Sequence, residues 1–101
     1  MGTFIRVAAT TDLEPGQCRA VSAGDREIAL FNVAGAYYAI DNTCTHRGGP
    51  LGEGFLEGKV VTCPWHGWTY DVTNGMCPIN PNIAVKSYSV RIEGADVQVE
   101  V

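Results

Sequence analysis

Four residues with metal-binding side chains stand in two short, matching groups, Cys44-x-His46 and Cys63-x-x-His66. Sixteen residues separate the groups, and the chain's only two histidines both fall within them. Thiolate sulfur and imidazole nitrogen are the ligands proteins use for soft and borderline metals, and a spacing of one or two residues lets a pair converge from one loop. Glycine follows each group, Gly48-Gly49 after Arg47 and Gly67 after His66. Glycine allows the backbone to fold tightly around a metal centre and to aim its N–H groups inward. A lone histidine is most often a solvated or hydrogen-bonded surface residue. Two of them, each matched with a cysteine in a glycine-rich loop, point to a metal site.

The residues around these groups are those of loops. From Asn42 to Asn82 the sequence holds seven of its twelve glycines and four of its five prolines. Loop-rich segments at Asn42–Gly58 and Cys63–Gly67 bracket a short strand expected at Lys59–Thr62, with another at Thr69–Val72. The turn Thr73-Asn74-Gly75 and a Pro-rich loop from Cys77 to Pro81 follow. On either side the pattern is that of short antiparallel strands. Thr3–Ala9 reads as a strand, then a turn at Glu14-Pro15-Gly16. Cys18–Ser22 and Glu27–Val33 read as a pair joined near Gly24-Asp25, and Ala34-Gly35 turns into Tyr37–Asp41. Val85–Ile92 and Val97–Val101 read as a hairpin about Glu93-Gly94, with Val97, Val99 and Val101 alternating with polar residues at the period of a half-buried strand. No sustained helical period, repeat or low-complexity tract occurs. The expectation is one all-β domain over residues 1–101, an antiparallel β-sandwich with an inserted, loop-rich subdomain at about 42–82 that carries the chemistry. The C-terminal hairpin suggests a complete domain.

Bulk properties narrow the function classes. A chain of 101 residues with 46% hydrophobic and 18% charged residues is a single folded domain, not a disordered segment. At this size a metal centre helps a limited core. The net charge of −4 disfavours nucleic acid and anionic membrane as partners and favours a basic docking surface. No basic n-region with a following apolar run marks a signal peptide, and no apolar stretch approaches a membrane span. A cytoplasmic monomer is expected, with its cysteines as thiols or ligands.

Zinc fits two cysteines and two histidines. Zinc fingers, though, pair like with like, whereas each loop here supplies one of each. Two loops side by side could instead give one iron two thiolates and a second iron two imidazoles, the arrangement of a Rieske [2Fe–2S] centre. The segments Cys44-Thr45-His46-Arg47-Gly48-Gly49-Pro50-Leu51 and Cys63-Pro64-Trp65-His66-Gly67-Trp68-Thr69-Tyr70-Asp71 resemble the two cluster-binding loops of Rieske proteins. The order of strands is similar over nearly the whole chain.

The resemblance implies that Cys44 and Cys63 hold an inner iron and His46 and His66 an outer one of a single [2Fe–2S] cluster. Rieske proteins of this length are typically ferredoxins. The implied function is one-electron transfer from a flavin-dependent or similar reductase to a terminal oxygenase, in aromatic dioxygenation. Alternative readings are a small Rieske subunit of a nitrite reductase or cytochrome-linked hydroxylase, an isolated Rieske domain of an oxygenase large subunit, and a zinc-stabilised binding module. Catalysis by this chain alone is not expected. A mononuclear iron site of two histidines and a carboxylate would need histidines already committed, and no G-x-G-x-x-G is present.

Departures from respiratory and photosynthetic Rieske proteins bear on the potential. Gly49 and Trp65 stand where those proteins join an extra pair of cysteines, and Trp68 stands where their serine donates to a bridging sulfide. Tyr70 matches their tyrosine that donates to a cysteine sulfur. Fewer hydrogen bonds to the sulfurs destabilise the reduced state, which places the expected potential near the low end of the Rieske range, about −150 mV. Trp65 and Trp68 flank His66, and at least one of them is expected to shield the cluster from water or pack beneath it. The other reading is an apolar docking rim formed with Pro50, Leu51 and Pro81, with Arg47, Glu53, Glu57 and Asp71 as orienting charges. Cys18 is expected as a small core residue and Cys77 as a packed thiol, with no disulfide between them.

Overall fold

The computed structural model describes residues 2–43, 49–65, 67–80 and 82–101. Its strands are β1 (Phe4–Ala9), β2 (Cys18–Ala23), β3 (Arg26–Val33), β4 (Ala36–Asp41), β5 (Phe55–Glu57), β6 (Val60–Thr62), β7 (Thr69–Asp71), β8 (Ser87–Tyr88), β9 (Val90–Glu93) and β10 (Asp96–Glu100), with one 3₁₀ turn at Leu51–Glu53. They form three antiparallel sheets in the orders β1-β10-β9, β2-β3-β4-β8 and β5-β6-β7. The all-β expectation holds among the described residues.

The middle sheet is covered on both faces, and β3 shows why. Successive strand side chains point to opposite faces. Ile28 and Leu30 join Val21, Ala39, Val97 and Val99 in one interior, against the sheet β1-β10-β9. Ala29 and Phe31 join Ile40, Leu51, Val61, Cys63, Tyr70, Val72 and Val85 in the other, against β5-β6-β7. The continuous buried run Ile28–Asn32 therefore serves two cores at once. Asn32 is the polar member of that run. Its amide donates to the Leu13 carbonyl at 2.8 Å, and its side-chain oxygen accepts from the Gly35 N–H at 2.8 Å. This bond ties down the β3–β4 turn, in which Ala34 adopts φ 52°.

Two sequence expectations need correction. The run Val85–Ile92 is not one arm of a hairpin. Tyr88 and Ser87 pair with Ala39 and Ile40 of β4, while only β9 pairs with β10. The run breaks at Ser89 because its two halves serve different sheets. The segment Asn42–Gly58 is also not all loop, since Phe55–Glu57 forms the edge strand β5, paired with β6. Phe55 points outward and is 70% exposed, so β5 lacks the apolar alternation that marks a strand in sequence. The other arm of β10 is β1, which brings the two ends of the described chain into one sheet, Phe4 opposite Glu100.

Candidate metal centre

The third sheet presents Cys63 at the tip of the β6–β7 hairpin. Register runs Val60↔Asp71, Val61↔Tyr70 and Thr62↔Thr69. The Cys63 N–H then donates to the Trp68 carbonyl at 2.7 Å, and the Gly67 N–H returns to the Cys63 carbonyl at 3.1 Å. Gly67 takes φ 76°, a left-handed conformation that glycine adopts without strain. Cys63 itself is 2% exposed, anchored in the second core beside Val61 and Tyr70.

The first loop hangs from a closed neck. Thr43 bridges Pro50, and Asn42 accepts twice across the same point, its main-chain oxygen from the Leu51 N–H and its side-chain oxygen from the Gly52 N–H, both at 2.7 Å. Leu51 plugs the neck into the second core with no exposed surface. Gly52 lies directly on β2: a Cβ there would meet the Ala20 nitrogen at 2.5 Å. Asn42 was not singled out from sequence. Its signal was an Asn at a strand end, a residue suited to bonding nearby backbone.

The two loops meet at Gly49. A Cβ on this buried glycine would lie 2.6 Å from Cys63 Sγ and 3.1 Å from Trp65 Cγ. A Cys63 sulfur pressed against the end of the first loop is the arrangement a centre shared between the loops requires. Of the four expected ligands, Cys63 is described, and Cys44, His46 and His66 lie outside the described residues, as do Arg47 and Pro81. The donor chemistry and the glycine-lined cradle fit a metal cluster.

The expected rim changes in composition. Leu51 is core, not surface, and leaves the rim. Trp68 is half-buried and packs against the second core, whereas Trp65 is 57% exposed. Ile79, 86% exposed, belongs on the outer surface near Trp68. The two residues line a small, largely apolar hollow of about 220 Å³ with Gly67, Cys77 and Ile83. Glu53 and Glu57 are exposed. Asp71 is not a free docking charge: it accepts from the Thr73 N–H at 2.9 Å and hydroxyl at 2.6 Å, and faces Lys59 at 3.5 Å. Burial pushes the Asp71 carboxyl up, but the Thr73 donors and the Lys59 ammonium outweigh it and hold the pKa below the ordinary value.

The remaining cysteines are not cross-linked, Cys18, Cys63 and Cys77 all being free of disulfides. Cys18 is half-buried, its thiol 3.5 Å from the Gly54 carbonyl and pushed up in pKa by burial. Cys77 is buried, and its N–H donates to Ile83 at 2.9 Å to close the Pro-rich loop. No helix among the described residues is long and apolar enough to cross a membrane.

Comparison with known proteins agrees with this geometry. A family model for the Rieske [2Fe-2S] domain matches residues 3–89. The ferredoxin component of a naphthalene 1,2-dioxygenase system from Pseudomonas aeruginosa is 38% identical over 100 residues, covering 96% of this chain and 94% of that one. Among solved structures, a chain from a complex of reduced oxygenase and oxidised ferredoxin in carbazole 1,9a-dioxygenase matches with a TM-score of 0.88 at 32% identity, over 99% of this chain and 94% of that chain. A ferredoxin of Sphingomonas yanoikuyae B1 matches with a TM-score of 0.88 at 30% identity, over 98% and 99%.

Proposed function

Because the chain belongs to the Rieske [2Fe–2S] domain family, we propose that it is a one-electron carrier, taking electrons from a flavin-dependent or similar reductase and delivering them to the terminal oxygenase of an aromatic ring-hydroxylating dioxygenase. Cys44, His46, Cys63 and His66 would hold one [2Fe–2S] cluster, within a single domain whose cluster-binding part spans about 42–82. The bound cluster supplies a one-electron couple. The chain's own residues fix the loops, exclude water from the sulfurs and present the tip to partners.

The observation that carries this reading is the contact between the loops, with Cys63 Sγ lying 2.6 Å from where a Gly49 side chain would begin. Ligands drawn from both loops can then share one centre. Relatives at 37–38% identity that are ferredoxin components of naphthalene dioxygenase systems supply the partner class. A cytoplasmic, monomeric carrier is part of the proposal.

The test is visible absorption and low-temperature EPR of purified protein before and after dithionite, followed by mixing the reduced protein with a ring-hydroxylating terminal oxygenase. A red-brown protein is expected, whose reduced form gives a rhombic signal with average g below that of an all-cysteine cluster and reoxidises on mixing. A colourless protein holding stoichiometric zinc after anaerobic reconstitution overturns it.

A further inference from the structure

The niche at Gly49 holds two neighbours. Cys63 Sγ lies 2.6 Å from the point a Cβ would occupy, and Trp65 Cγ and Cδ2 lie 3.1 and 3.2 Å from the same point. Sulfur and indole thus flank one absent methyl group. Cys63 is 2% exposed, yet Trp65 is 57% exposed. Apolar side chains this exposed contribute little to a core, and Trp65 belongs to neither interior. Its inner edge is held against the glycine while the rest of the ring faces outward. Any side chain at position 49 would meet the sulfur first, at 2.6 Å, and the ring next, at 3.1 Å.

We propose that Trp65 is a positioning residue that lies across Gly49 as a lid over the Cys63 sulfur, keeping water from it, and so holds the redox potential low and slows cluster loss. The proposal rests on Cys63 being a ligand, as assigned above. A water hydrogen bond to a ligand sulfur stabilises the reduced, more negative state, so excluding that water withholds the stabilisation and lowers the potential. The same cover keeps chelators and oxygen from the metal–sulfur bond. Gly49 is the other half of the device, since only a residue without Cβ leaves room for the sulfur and the ring together.

The test compares cluster-loaded wild type with Trp65→Ala, Trp65→Leu and Trp65→Phe. The readouts are the midpoint potential, from an optical redox titration, and the rate of bleaching in EDTA under air. Trp65→Ala should move the potential positive and bleach about tenfold faster, within the range of changes to groups supporting metal ligands. Trp65→Phe, which keeps a flat apolar ring, should stay near wild type. Trp65→Leu, which covers only part of the ring's place, should fall between Trp65→Ala and wild type, and carries the comparison if Trp65→Ala fails to load. Faster bleaching with an unmoved potential in both Trp65→Ala and Trp65→Leu would show a merely structural role and overturn the proposal. A wild type without a Rieske signal would instead remove the ligand assignment, a failure visible before any variant is made.

Discussion

Leu51→Ala separates a core role from a docking role at the neck of the first loop. The side chain has no exposed surface and packs with Phe31, Val61, Cys63 and Tyr70 in the second interior. Truncation removes three buried carbons, a transfer loss of roughly 2.4 kcal/mol at about 0.8 per methylene. The cavity left behind adds to this, because Asn42, Gly52 and the Thr43–Pro50 bridge hold the surrounding backbone in place. The total is about 3–4 kcal/mol, out of roughly 5–15 kcal/mol for a domain of this size. Urea unfolding of the loaded protein, followed by far-UV circular dichroism and cluster absorbance together, measures it. A loss of this size should lower the thermal midpoint by roughly 12–32 °C. A change below about 0.5 kcal/mol, the range of ordinary surface substitutions, with weakened binding to the oxygenase would refute the reasoning. Leu51 would then be a rim residue after all.

Two further outcomes are expected from the scaffold. Ala34→Asn should raise stability by about 0.5–1 kcal/mol in denaturant titrations, because Ala34 sits at φ 52° in a two-residue hairpin turn before Gly35, where Asn-Gly is the favoured pair. Asp71→Asn should flatten the acid side of the stability profile. The native Asp71 pKa is lowered by Thr73 and Lys59, so its contribution is complete above the unfolded value of about 3.9. It vanishes as pH falls through the lower native value, because the unfolded state takes up the proton first. The wild type should therefore lose more stability than the variant between pH 5 and the acid limit, in unfolding curves taken at stepped pH.

What the residues disclosed follows from how local each signal is. Strands β1 to β4 are marked by short runs of strand-forming residues between glycine and proline turns, both readable within ten residues, and they stand where expected to within a residue or two. The break at Ser89 was hidden because both halves of Val85–Ile92 carry strand-forming residues, and only the partner sheets distinguish them. Strand β5 was hidden because it is three residues long with an outward Phe55. At the site, the spacing of Cys63 and the glycines indicated a tight metal loop, and Cys63 takes its place beside Gly49. The roles of Leu51 and Asp71 were misjudged for one reason. A side chain beside a ligand loop can point into the protein as readily as outward, and its direction is set by long-range partners such as Phe31 and Lys59.

Strand β3 also fixes the alignment between the layers. Its side chains feed two interiors by turns, so a slip of one residue would send Phe31 towards β10 and Leu30 towards Cys63. Both interiors would be misfilled together, one crowded by a ring and the other left short. An ordinary half-buried strand meets a penalty on one side only when it shifts. Here the penalty is doubled, so β3 acts as a ruler whose graduations are read from above and below, and the sheet bearing Cys63 inherits its alignment from a strand that contributes no ligand.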